Sequence, residues 1–213
     1  MATSDFEANR DRILAVSAAL FAENTYHGTG ISELSAAVGL GRGALYHYIG
    51  SKESLLYEIG KTQVDRMNLF AEEIVAQGLP PEQRLHALAV KLLENIASHR
   101  AEWTVFFREQ SALTGERRDA VVAAREQYEG YWRRALEAGE REGVFRDIPP
   151  VLVKGILGMF NYTYLWYNSD GPLSSEQLAD IFVEMILTGV RKTGDTNMND
   201  LQGSRNTSLK ATS

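Results

Sequence analysis

The chain has 213 residues, 44% of them hydrophobic and none of them cysteine, with a formal net charge of −6 at pH 7. A chain of this length buries about 70% of the surface its unfolded form exposes, enough for one or two cored domains. The lack of cysteine excludes disulfides and thiolate metal sites, and the negative charge argues against non-specific nucleic-acid binding through a basic field. The first residues, MATSDFEANRDRILAV, are charged where a secretory signal is apolar. No uninterrupted apolar run approaches the ~18 residues of a membrane span, so a cytoplasmic protein with no membrane partner is expected.

Residues 8–24 place Ile13, Leu14, Ser17, Leu20 and Phe21 at helical spacing, with Asn9, Arg10, Arg12 and Glu23 on a solvated face. Residues 25–30 read as a loop in which Thr29 or Gly30 caps a second helix, Glu33 lying three residues after Gly30. That helix runs to Val38 and packs Ile31 and Leu34. The run Gly39-Leu40-Gly41-Arg42-Gly43 has the chemistry of a tight turn between crossing helices: Gly39 takes the left-handed conformation, Leu40 plugs the crossing and Gly41 caps the next helix. A phosphate-binding loop is the rival reading. It fails because the run is not GxGxxG and follows a helix, not a strand. The third helix then turns Leu45 and Ile49 to the core and leaves Arg42, Gly43, Tyr46 and His47 on the other side.

Ser51 caps a long helix from Lys52 to about Gln77, closed by Gly78-Leu79-Pro80-Pro81. Helices are predicted beyond it at 81–98, 101–113, 116–142, 149–168 and 174–192, and residues 193–213, without aromatics or periodicity, are expected to be a disordered tail. No stretch offers period-2 alternation with hairpin turns. The fold class is therefore all-α, with an N-terminal three-helix domain at 1–51 and a C-terminal helical bundle at 52–192.

Residues 29–56, TGISELSAAVGLGRGALYHYIGSKESLL, read as a helix-turn-helix followed by a connecting helix. Up to residue 52 the four cations Arg10, Arg12, Arg42 and Lys52 face five acids, Asp5, Glu7, Asp11, Glu23 and Glu33, a net charge of −1. Any binding to DNA must rest on a few placed cations, helix N-termini and hydroxyls, and on two copies acting together. Arg42, at the start of the second helix of the motif, is the residue able to grip a guanine bidentately, and Lys52 joins a cation to exposed backbone N–H groups as a phosphate clamp.

The approach LFAENTYHGT, the run ISELSAAVGLGRGALYHYIGSKESLL and especially its GxLYxYxxxKExLL part at 43–56 resemble the N-terminal domain of TetR-family transcriptional repressors. The likeness implies that Arg42 and Gly43 lie at the bases while Tyr46, His47 and Tyr48 meet phosphates or thymine methyls. With Thr29, Gly41 and Lys52 these form the candidate DNA-binding set. The chain departs from the family pattern at Gly41, where Ser or Thr is common, and at Ile49, where Phe is common; both changes are mild.

All three tryptophans, Trp103, Trp132 and Trp166, lie in the second half among many other aromatics. These rings either fill a helical core or line a pocket, and polar residues inside apolar windows, such as Asn161, favour the pocket. Candidate ligand-binding residues are Trp103, Phe106, Phe107, Tyr128, Trp132, Asn161, Tyr162 and Trp166. The segment GMFNYTYLWYN is similar to the last helices of acyl-CoA-sensing members of the family, which implies cations at the pocket mouth, with Arg108, Arg117, Arg118, Arg125, Arg133 and Arg134 as candidates. The apolar helices 149–168 and 174–192 would pair with their symmetry mates in a homodimer.

The expected function is a ligand-responsive regulator, a repressor that binds a palindromic operator as a dimer and is released by a bulky apolar, aromatic or acyl-CoA-type effector. The alternative is a DNA-binding dimer with no small-molecule effector. No GxSxG, HExxH or Walker motif is present, and His86, His99 and Glu102 are isolated on helices, so neither an enzyme nor a metal or cofactor site is expected.

Overall fold

The computed structural model describes the backbone of residues 2–191 and side chains from Phe6 onward; the tail expected at 193–213 lies outside the described residues. Among the described residues the chain is all helix, in the order α1 (Ala2–Asn24), α2 (Ile31–Val38), α3 (Arg42–Ile49), α4 (Lys52–Ala76), α5 (Pro81–Ser98), α6 (Arg100–Glu109), α7 (Gly115–Arg141), α8 (Val151–Asn161) and α9 (Ser175–Val190). Two short 3-10 turns, Gln110–Ala112 and Tyr162–Leu165, extend α6 and α8.

The caps explain where these helices begin and end. Glu33 reaches back to accept from the Gly30 N–H (3.4 Å) and from Asn24 Nδ2 (3.1 Å), which fixes the start of α2 against the end of α1. Gly39, at φ 71°, turns the chain left-handed, donating to Ala36 O (3.2 Å) while Leu40 N–H donates to Ser35 O (3.0 Å). These two hydrogen bonds satisfy two of the orphan carbonyls of α2 in a Schellman turn. Ser51 Oγ accepts the Ser54 N–H at 2.9 Å to open α4, and Ser174 with Gln177 forms a reciprocal capping box on α9.

Three boundaries differ from the sequence-based expectation. α1 begins at Ala2 rather than at residue 8, since no glycine or proline stands there to stop it. The helix expected over 101–113 is α6 followed by the first 3-10 turn. The single helix expected over 149–168 stops at Asn161 and tightens into the second turn. There the buried Thr163 hydroxyl donates to Phe160 O at 2.7 Å, a local bond that competes with α-helical propagation.

The core is continuous from Ile13, Phe21, Leu34 and Leu45 through Leu55, Ile59 and Met67 to Leu92, Trp132 and Phe160. α4 is its axis, packing on α5, α6 and α7 and also touching α1 and α3, while α5 packs on α9 and α7 on α8. The helix that carries Ser51 and Lys52 at its start therefore also forms a wall of the C-terminal bundle.

Candidate functional site

On α3, Leu45 and Ile49 are buried, while Arg42, Gly43, Tyr46 and His47 face outward. Among the described residues Arg42 makes no hydrogen bond or ion pair, so its guanidinium is available for a bidentate contact. Gly41, in extended conformation at the N-cap, leaves the first amides of α3 uncovered by any side chain. Tyr48 is half-buried because Phe6 of α1 stacks on its ring (4.8 Å between centroids) and meets His47 edge-on (6.0 Å). Lys52 Nζ sits 4.4 Å from the Tyr26 ring centroid. Burial lowers its pKa below the ordinary lysine value, against the opposing pull of Glu109.

Thr29 is placed otherwise than the sequence suggested. It is 1% exposed, and its hydroxyl donates to Thr25 O at 2.9 Å, so it shapes the loop before α2 and presents nothing to a partner. Arg10 and Arg12, read as a solvated face, are engaged internally. Arg10 pairs with Glu58 of α4 at 2.8 Å, and Arg12 donates to Val38 O at 2.9 Å, holding the C-terminus of α2. Of the four cations at the front of the chain, two thus lock the motif together and two remain at its outer surface.

In the bundle, α4, α6, α7 and α8 enclose a cleft of about 410 Å³. Its inner wall is Val64, Met67, Trp103, Phe106 and Tyr128; Phe107, Leu157 and Asn161 continue it, and the exposed Val122, Arg125, Glu126 and Lys154 form the rim. Trp103 stacks on Phe107 (5.4 Å) and is anchored by its indole N–H to Asn95 Oδ1 at 2.8 Å. Both rim cations are engaged, Arg125 with Gln110 Oε1 (2.7 Å) and Lys154 with Glu129 (3.0 Å).

Five of the eight candidate ligand residues meet here: Trp103, Phe106, Phe107, Tyr128 and Asn161. Trp132 is fully buried behind Tyr128 against Phe160, whereas Tyr162 and Trp166 are exposed on the outside, carried there by the 3-10 turn after α8. Of the six candidate mouth arginines only Arg125 stands at the rim; Arg108 instead reaches Ala22 O of α1 and Arg117 reaches Glu53 in the first turn of α4. Lys154, one turn into α8, was missed because an isolated lysine in an apolar helix carries no sequence signal for a mouth.

His99 donates from Nδ1 to Asn95 O (3.2 Å) and accepts at Nε2 from Arg66 (2.6 Å), so neither nitrogen is left for acid–base work with Glu102. His86 pairs with Asp180 at 2.7 Å. Among the described residues no group of His, Asp and Glu side chains is arranged to hold a metal, and no helix is long and apolar enough to cross a membrane.

Comparison with known proteins gives the same picture. A family model described as "Bacterial regulatory proteins, tetR family" matches residues 13–59, and one described as "Tetracyclin repressor-like, C-terminal domain" matches residues 78–190. The HTH-type transcriptional repressor KstR2 of Rhodococcus jostii (strain RHA1) is 30% identical over 191 residues, 88% of this chain and 94% of that protein. The ketosteroid transcriptional regulator KstR2 of Mycobacterium tuberculosis superposes with a TM-score of 0.79 at 27% identity, over 86% of this chain and 95% of that one. AibR, solved in complex with isovaleryl coenzyme A and operator DNA, superposes with a TM-score of 0.74 at 29% identity, over 83% and 97% of the two chains. A helix-turn-helix with an unengaged arginine at its second helix, on an all-helical body matched along most of its length by such repressors, belongs to the TetR family of DNA-binding transcriptional regulators and not to an enzyme.

Proposed function

We propose that the protein is a cytoplasmic, dimeric repressor that binds a palindromic operator and is released by a bulky apolar, aromatic or acyl-CoA-type effector. Residues 1–51 form the reader, with Arg42 and Gly43 at the base edges, Gly41, Tyr46, His47 and Tyr48 against the backbone or thymine methyls, and Lys52 on a phosphate. Residues 52–192 hold the effector and the dimer contact.

The observation that carries the effector reading is the aromatic cleft of about 410 Å³ walled by α4, the helix whose N-terminus follows α3. Contacts around α4 support such coupling. Phe106 of the cleft lies against Gly60 of α4, where an added Cβ would meet its ring at 3.0 Å. Arg117 of α7 donates to Glu53 Oε2 (3.1 Å) and Ser54 Oγ (2.7 Å) in the first turn of α4. Arg108 at the end of α6 reaches Ala22 O of α1 at 3.4 Å. An occupant that spreads α6 and α7 from α4 would move the reader, provided it binds the DNA-free arrangement better by the full coupling energy. AibR was solved with an acyl-CoA and DNA, which supports that effector class.

The dimer reading rests on apolar residues left outside the core. Val151, Tyr162 and Trp166 after and along α8, and Ile181 and Met185 on α9, are all exposed, and Leu152, Gly155, Met159 and Gly189 line an open apolar groove of about 250 Å³ between these helices. The function is tested by operator binding: fluorescence anisotropy on a fragment from upstream of the protein's own gene, with wild type and Arg42→Ala. Tight binding that the variant loses, and that an acyl-CoA reverses, supports the proposal. Equal affinity in both proteins would remove Arg42 as the reader.

A further inference from the structure

Tyr128 lines the cleft, is 7% exposed, and its hydroxyl makes no hydrogen bond to the protein. Trp132 Nε1, one turn further along α7, and Asn68 Oδ1, on the facing turn of α4, are also buried without partners. Asn68 is held in place by its amide, which donates to Ala124 O, one turn before Tyr128, at 3.1 Å. Of the described residues that carry such atoms, only Tyr128 lines the cleft; Trp132 and Asn68 stand behind it, on the same helix and on the helix packed against it. Buried polar groups are normally bonded, because leaving one unpaired costs its desolvation. The unpartnered Tyr128 hydroxyl is thus a donor on a wall whose inner neighbours, Val64, Met67 and Phe106, are apolar.

We infer that the buried end of the cleft is a hydrogen-bonding subsite for a neutral oxygen, a hydroxyl or carbonyl carried on an apolar body, with Tyr128 as the donor. The inference rests on the effector reading above and narrows it from apolar molecules in general to oxygenated ones. The subsite is neutral because no cation stands among Asn68, Tyr128 and Trp132, and the two cations of the cleft are at its rim, engaged by Gln110 and Glu129. Burial pushes the tyrosine pKa well up; the indole of Trp132 opposes this slightly without reaching hydrogen-bond geometry. The hydroxyl therefore stays protonated and presents a proton to an acceptor. A ligand hydroxyl or carbonyl oxygen taking that proton satisfies the tyrosine, whereas a hydrocarbon leaves it unpaired.

Toluene and p-cresol, equal in shape except for one hydroxyl, test this on the full-length protein by isothermal titration calorimetry at neutral pH. p-Cresol is expected to bind about tenfold more tightly to wild type, and the preference to fall to about twofold or less in Tyr128→Phe. The variant should melt at the same temperature as wild type or higher, because it removes an unpartnered group. Equal binding of the two compounds, a preference that survives in Tyr128→Phe, or binding by neither overturns the subsite. A lowered melting temperature assigns the hydroxyl to the packing of the free protein and overturns it too. Acyl-CoA release of the operator, lost on Trp103→Ala, is decided separately, so the effector reading stands or falls without the cresol ratio.

Discussion

Replacing Ile181 by glutamate isolates the dimer from the fold. Ile181 is 53% exposed and Met185, one turn on along α9, is 56% exposed, so neither holds the monomer together. Substitution there should change monomer stability by no more than about 0.5 kcal/mol. If the face is an interface, each copy loses about 1 kcal/mol of apolar burial. Each also brings a carboxylate into a dry contact at a cost of about 2 kcal/mol. Twofold symmetry doubles both effects, to about 6 kcal/mol, which weakens the dimer about 10⁴-fold at 1.4 kcal/mol per decade. Sedimentation equilibrium at micromolar protein, with circular dichroism to confirm helicity, should show a folded monomer where wild type is a dimer. Operator affinity should fall with it, since two tethered readers compensate for the weak charge of each. An undisturbed dimer in Ile181→Glu would refute the assignment of α8 and α9.

Arg42→Ala should cost about 1–3 kcal/mol per half-site in operator binding, read by anisotropy at fixed salt, with an unchanged melting temperature. Lys52 makes operator affinity pH-dependent. Its pKa is lowered by burial and pulled back by Glu109, so its phosphate contact should weaken as pH rises through that lowered value, and Lys52→Arg should flatten the profile. The folded state binds fewer protons than the unfolded one in that window, so folding stability moves the other way, rising with pH. Arg12→Ala removes the bond to Val38 O and should lower stability by about 1 kcal/mol in thermal unfolding. Arg117→Ala should leave effector affinity for the free protein within about twofold, since exposed pairs contribute little. It should, however, reduce the effector-induced loss of operator affinity; an unchanged response would show that Arg117 carries none of the coupling.

The reader was legible because its signals are local. Gly39 had to be left-handed between two short amphipathic helices, Ser51 had to cap the next, and the Leu45/Ile49 pair fixes which side of α3 is outward. Arg12 was misread for the opposite reason: its partner, Val38 O, is 26 residues away, a contact helical periodicity does not encode. The aromatics of the second half announced themselves, but periodicity does not say which side of a ring meets a void. Trp103 and Tyr128 line the cleft, Trp132 fills the core behind it, and the Thr163–Phe160 bond that tightens the chain after Asn161 turns Tyr162 and Trp166 outward. The bond from Asn68 of α4 to Ala124 O of α7, one turn before Tyr128, depends on how the helices are rotated, which is a tertiary property.

Coupling between cleft and reader is tested most directly by reciprocity. The acyl-CoA giving the largest thermal shift is titrated into the protein by calorimetry, once alone and once saturated with operator. Linkage requires the operator to weaken effector binding by the same factor by which the effector weakens operator binding, about 5- to 150-fold for typical coupling energies. The same Kd with and without operator would contradict an effector-released repressor, whatever the cleft binds.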